Sequence, residues 1–92
     1  MLYIVSYDIV DDKKRTKLAK KLCNYGSRVQ YSVFECNLSK SKLKEMKKEL
    51  MQFINPEKDS FRIYKLCQEC VKHIESYGIK EGFEARDEAI VI

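Results

Sequence analysis

The sequence predicts an α+β sandwich in which two helices cover one face of an antiparallel sheet. Three observations lead there: the order strand, helix, extended segment, helix, strand; an apolar stripe at helical period in each helical segment; and a length of 92 residues, enough for one domain with one modest core. Hydrophobic residues make up 45% and charged residues 35%, with three glycines and one proline, which excludes a disordered chain. Residues 1–78 are expected to form the core of a single domain spanning 1–92, with 79–92 as a C-terminal extension. The apolar runs are too short to span a bilayer, and the N-terminus enters a strand without the features of a signal peptide, so a cytoplasmic protein with no membrane partner is expected.

The first strand, Leu2 to Tyr7, is apolar on both faces and runs straight into Asp8. A strand buried on both sides can deliver a charge only where it ends, and such a charge usually has a function. Asp11-Asp12 then caps a helix over Lys13 to Asn24, with Leu18, Ala19, Leu22 and Cys23 on its apolar face and Lys13, Lys14, Lys17, Lys20 and Lys21 on the other. Arg15 projects toward the apolar side, where it reaches back to Asp8, reaches outward to a phosphate, or covers apolar surface with its stem. Tyr25-Gly26 ends the helix. Arg28 to Cys36 is extended with a half-buried alternating pattern, which fits one strand or two.

Ser39 or Ser41 opens a second helix whose buried stripe is Leu43, Met46, Leu50, Phe53 and Ile54, with Lys40, Lys44, Lys47 and Lys48 outside it, and Asn55-Pro56 stops it. Ser60 to Leu66 reads as a strand, Val71 to Tyr77 as a further strand ending at Gly78, and Ala89 to Ile92 as a short apolar one. That last strand follows an acidic stretch, Glu81 to Glu88, and is suited to the sheet edge of a second subunit, which predicts a homodimer with exchanged C-terminal strands.

Net charge is +4, yet residues 1–48 carry twelve Lys or Arg against five acids while the remainder carries six against nine. The basic half suits a polyanion, although lysine-rich helix faces also serve as solvated surfaces. Cys23, Cys36, Cys67 and Cys70 are expected as free thiols. Cys67-x-x-Cys70 with His73 supplies three zinc-type ligands, one short of a closed site, and as a motif following a strand it lacks the thioredoxin-like context of a redox enzyme. His73 is expected on a strand in a structural or surface role.

Taken together, Tyr7-Asp8-Ile9, Asp11-Asp12-x-x-Arg15, Tyr25-Gly26-x-Arg28-Val29-Gln30-x-Ser32-Val33-Phe34-Glu35 and Phe61-Arg62-Ile63-Tyr64 closely resemble the smaller of the two CRISPR adaptation proteins, the CRISPR-associated endoribonuclease family. The resemblance covers nearly the whole chain, and its most specific part is the ordered pairing of Tyr-Asp-Ile with Arg-Val-Gln-x-Ser-Val-Phe-Glu. It implies a ferredoxin-like βαββαβ fold in which Arg28 to Cys36 holds two strands joined by a tight turn, and an extra C-terminal strand exchanged in a homodimer.

The resemblance further implies that the two copies of Asp8 share a magnesium ion, with Tyr7, Arg15, Arg28 and Phe34 at the family's supporting site positions. Magnesium suits this arrangement because it keeps several waters and needs only one or two carboxylates beside a phosphate. Lys17 stands where some relatives carry arginine and lacks the bidentate fork. Two functions compete. In one, a magnesium-dependent endonuclease cuts single-stranded RNA or duplex DNA. In the other, the dimer bridges CRISPR integrase dimers and lays Lys13, Lys14, Lys17, Lys20, Lys21 and Arg28 along duplex DNA during spacer acquisition. A toxin-type or RNA-binding ribonuclease on the same fold, with no link to CRISPR, is the alternative outside the family. Deleting residues 89–92 should weaken the dimer; an unchanged sedimentation profile at micromolar concentration would count against strand exchange.

Overall fold

The computed structural model describes residues 1–78. Strand β1 (Leu2–Asp8) leads to helix α1 (Asp12–Leu22), strands β2 (Ser27–Gln30) and β3 (Val33–Asn37), helix α2 (Lys40–Leu50) with a 3-10 turn at Met51–Phe53, strand β4 (Ser60–Leu66) and the short helix α3 (Gln68–Val71). The sheet is antiparallel in the order β2-β3-β1-β4, the ferredoxin-like arrangement. The extended segment is therefore two strands, joined by Tyr31-Ser32, with a one-residue slip in register between Arg28 and Gln30.

Alternation along the strands decides where the core sits. Tyr3, Val5 and Tyr7 of β1 and Phe34 and Cys36 of β3 are buried against Leu18, Ala19 and Leu22 of α1 and Met46 and Leu50 of α2. Burying a side chain such as Leu18 or Leu22 contributes about 1.5–3 kcal/mol. The second face of β1 carries Ile4 and Ser6, both only half-buried, so the strand is not sealed on both sides. Both helices cap themselves: Asp11 accepts from the Lys14 amide at 2.8 Å and Ser39 from the Lys42 amide at 3.2 Å. The end of α1 is tied to α2 through Tyr25, whose hydroxyl donates to Glu49 at 2.5 Å, while Lys21 pairs with the same carboxylate at 3.3 Å. Those contacts hold the Glu49 carboxyl below its usual range, and Glu49 in turn pushes the Tyr25 phenol up to about 12.

Other expectations are corrected as well. Cys23 is exposed, because it caps the end of α1 beyond the buried stripe. Val71 to Tyr77 is not a strand: Cys67 caps α3, and amides three and four residues on bond back to the carbonyls of Cys67, Cys70 and Val71 at 3.0, 3.0 and 3.2 Å. Val71 and Ile74, both half-buried, are spaced for one face of a helical turn, although both are β-branched residues that favour strands. His73 accordingly lies on an exposed turn, not a strand. The expected strand Ala89 to Ile92 and the acidic stretch before it lie outside the described residues, in which no helix is long and apolar enough to cross a membrane.

Gly26 is required by proximity. A Cβ there would lie 2.2 Å from the Glu35 carbonyl oxygen and 2.5 Å from Cys36 Sγ, so the turn between α1 and β2 packs directly on β3. Gly26→Ala should cost at least the roughly 1–3 kcal/mol typical of overpacking, read as a lowered urea midpoint.

Candidate nucleic-acid and metal site

Because β1 is paired on both edges, with Asp8 opposite Ser60 of β4, the carboxylate emerges at a fixed point of the sheet. Asp8 is exposed, and among the described residues it has no ion-pair partner. The next residue, Ile9, is fully buried, and its carbonyl accepts from Arg15 Nη1 at 2.8 Å. Arg15 also pairs with Asp12, so it braces the loop between β1 and α1 and does not reach Asp8.

Asp59 holds the same loop from the other side. Its Oδ1 accepts from the Val10 amide at 2.9 Å and its Oδ2 from the Asn55 amide at 2.8 Å, joining the loop after Asp8 to the loop before β4. These backbone donors, Val10 first, hold its carboxyl below the usual range, with Lys14 and Lys58 adding to the effect. Asp59 escapes sequence reasoning because Asn55-Pro56 signals only the end of a helix; the trace that remained was an aspartate just before a strand.

A concavity of about 470 Å³ opens between α1 and the β2-β3 turn, bordered by Tyr7, Asp8, Arg15, Lys20, Arg28 and Tyr31. Arg28 lies opposite Phe34 in register and stacks its guanidinium 5.3 Å from the ring centroid. Its Nε is buried with no hydrogen-bond partner among the described residues, a situation that costs about 1–3 kcal/mol until an acceptor arrives. Phe34 is fully buried and Tyr7 nearly so, their rings 6.3 Å apart, and the Tyr7 hydroxyl donates to the Tyr31 carbonyl at 3.3 Å. Tyr7 lines the concavity with its hydroxyl already engaged, and Phe34 lies behind Tyr7 and Arg28.

The structure thus brings Tyr7, Asp8, Arg15, Arg28 and Lys20 to one site. Phe34 supports it from below, and Tyr31, 93% exposed at the turn, is an addition that the alternating pattern did not single out. Lys13, Lys14 and Lys17 are exposed on α1 outside it, and Lys21 is engaged by Glu49. Among the described residues, no three metal-ligating side chains cluster, so a cation held by Asp8 requires donors from beyond one copy of these residues, or water.

Fold and site together define a ferredoxin-like domain in which Asp8 is the one carboxylate among the described residues that line a concavity bordered by cations. The chain belongs to the family described as CRISPR associated protein Cas2, whose model matches residues 1–74. It is 48% identical over 77 residues to the CRISPR-associated endoribonuclease Cas2 3 of Synechocystis sp., covering 84% of each chain. To the CRISPR-associated endonuclease Cas2 of Halalkalibacterium halodurans it is 39% identical over 95 residues, covering 98% of this chain and 99% of the relative. Among solved structures, Streptococcus pyogenes Cas2 superposes with a TM-score of 0.75 at 34% identity, over 85% of this chain and 100% of the other. A chain of a partial Cas6-RT-Cas1–Cas2 complex superposes with a TM-score of 0.64 at 33% identity, over 82% and 88%.

Since the folded Asp59 carboxyl is lowered, its stabilisation is present above the ordinary aspartate value of about 4 and is lost as pH falls through the lowered folded value. Asp59→Asn should therefore lower the urea midpoint at neutral pH, and the gap from wild type should narrow as the pH drops below 4.

Proposed function

We propose that this chain is a CRISPR adaptation subunit whose homodimer bridges integrase dimers and binds duplex DNA during spacer acquisition. The observation that carries this reading is the separation of surfaces on one small domain. Exposed lysines line the outside of α1, while the sheet face opposite the helices carries half-buried Ile4 and Ser6. A lysine-studded helix suits phosphates without reading bases. A half-covered sheet face suits a second copy, and alternation puts Asp8 on the same side as Ile4 and Ser6, so pairing through that face would bring two carboxylates together. An integrase partner is supported by the likeness to a chain of the Cas6-RT-Cas1–Cas2 complex.

A second reading, magnesium-dependent endonuclease activity, is favoured by the unpaired Asp8 beside the concavity and by the endonuclease and endoribonuclease names of the relatives. The donor set fits a hydrated divalent ion held by Asp8 from each of two subunits, and the ion when bound would polarise a phosphodiester and lower the pKa of water. The chain's own residues position the strand. Arg28 offers a buried donor that lacks an acceptor, a match for a phosphate oxygen, and Lys20 adds charge at the rim. Arg15, already engaged by Ile9 and Asp12, fixes the loop that presents Asp8.

Wild type, Asp8→Ala and a Lys13→Glu, Lys17→Glu, Lys20→Glu triple variant separate the two readings; Lys21 is spared because it pairs with Glu49. The triple variant should bind duplex DNA more weakly and reduce the salt slope by about one for each phosphate that is no longer neutralised. Asp8→Ala should lose magnesium-dependent cleavage of RNA or duplex DNA by more than the roughly 10–100-fold typical of outer-shell changes, while spacer integration with the cognate integrase persists. Unchanged duplex affinity in the triple variant would reduce the α1 face to a solvated surface. Loss of integration along with cleavage in Asp8→Ala would put the chemistry at the centre of adaptation.

A further inference from the structure

We propose that Cys67 and Cys70 form a reversible dithiol-disulfide pair, a redox-modification site at the junction of β4 and α3. The two residues are three apart on one helical turn. The Cys67 backbone is extended (φ −74°, ψ 166°), which folds its side chain over that turn, and Cys67 Sγ accepts from the Cys70 amide at 3.4 Å. Both residues are exposed and neither is in a disulfide. Cys70 lies within the single turn of α3 (Gln68–Val71) that Cys67 caps, so the turn brings the two residues together.

Electrostatics distinguishes the two sulfurs. The Cys70 amide, then the Cys70 thiol, holds the Cys67 thiol below its ordinary value, whereas Cys67 pushes the Cys70 thiol up. That asymmetry suits an attacking sulfur and a resolving one. Cys36, by contrast, is buried and pushed up to about 12, so it takes no part. A metal reading is disfavoured, because no third ligand joins the pair among the described residues and His73 is drawn to Glu69 at 3.4 Å.

The oxidant is a low-molecular-weight disulfide. The Cys67 thiolate attacks one of its sulfurs, forming a mixed disulfide and releasing one thiolate. Cys70 then loses its proton to solvent, attacks Cys67 Sγ and releases the second. Two protein thiols are oxidised by two electrons to one disulfide, and the small disulfide is reduced to two thiols. In a reducing compartment such a bond is transient and reports the thiol-disulfide balance. It would pin the first turn of a four-residue helix that is otherwise marginal in length.

The test equilibrates the full-length Cys23→Ser protein with glutathione buffers from fully reduced to fully oxidised, followed by acid quench and mass spectrometry. The expected product is a single chain lighter by two hydrogen atoms and not disulfide-linked to another, with the bond mapped to Cys67 and Cys70 and slower amide exchange across residues 68–74. Adding Cys70→Ser should replace it with a single glutathione adduct on Cys67, and adding Cys67→Ser should leave less adduct on Cys70. A full set of free thiols under oxidising buffer, disulfides only between chains, or a tightly held zinc ion released on thiol modification would each overturn the proposal.

Discussion

Strand β1 is hydrogen-bonded along both edges, and this double pairing is the constraint on which the remaining architecture depends. Val5 lies between Phe34 and Ile63, Tyr7 opposite Phe61 and Asp8 opposite Ser60. A slip of one residue on either side would move Tyr3, Val5 and Tyr7 out of the core. The position of Asp8 is thus set by the same pairing that builds the core, and a carboxylate with no ion-pair partner among the described residues is held in place by its neighbours' backbone.

The loop after Asp8 shows how a short connection is kept from drifting. Ile9 anchors it in the core, Arg15 takes its carbonyl, Asp59 takes the Val10 amide and Asp11 caps the helix that follows. Four local interactions from three parts of the chain thus leave Asp8 exposed on a rigid mount. Arg28 is fixed differently: Phe34 supports its guanidinium while its Nε stays unmet. Such a group is ready for an acceptor because the cost of desolvating it has already been met by the fold.

The parts legible in the sequence are those governed by one period. Leu18, Ala19 and Leu22 mark α1, Met46 and Leu50 mark α2, a short apolar run ending at Asp8 marks β1, and alternating Phe61 and Ile63 mark β4. Where two periods fit, the pattern fails: Val71 and Ile74 belong to a helical turn although both are β-branched strand formers, and the break between β2 and β3 at Tyr31-Ser32 carries no glycine to announce it. The site is half legible. Asp8 stands out because it ends an apolar strand, and Arg15 and Arg28 follow from the family resemblance. The Asp59 brace joins residues 49 positions apart in the chain, and the unmet Arg28 donor is a matter of three-dimensional burial, neither of which a local signal records.

The register slip between Arg28 and Gln30 gives the two margins of the sheet different characters. Along the margin formed by the four-residue β2, an irregular spacing of amides and carbonyls frustrates the docking of another extended chain. The opposite margin, the seven-residue β4, shows no such break. Growth of the sheet by accretion is therefore one-sided: a guest strand that settles on β4 meets a ladder in step, whereas stacking on β2 is out of step from the outset. A domain built this way can accept a single added strand without seeding an open-ended fibre.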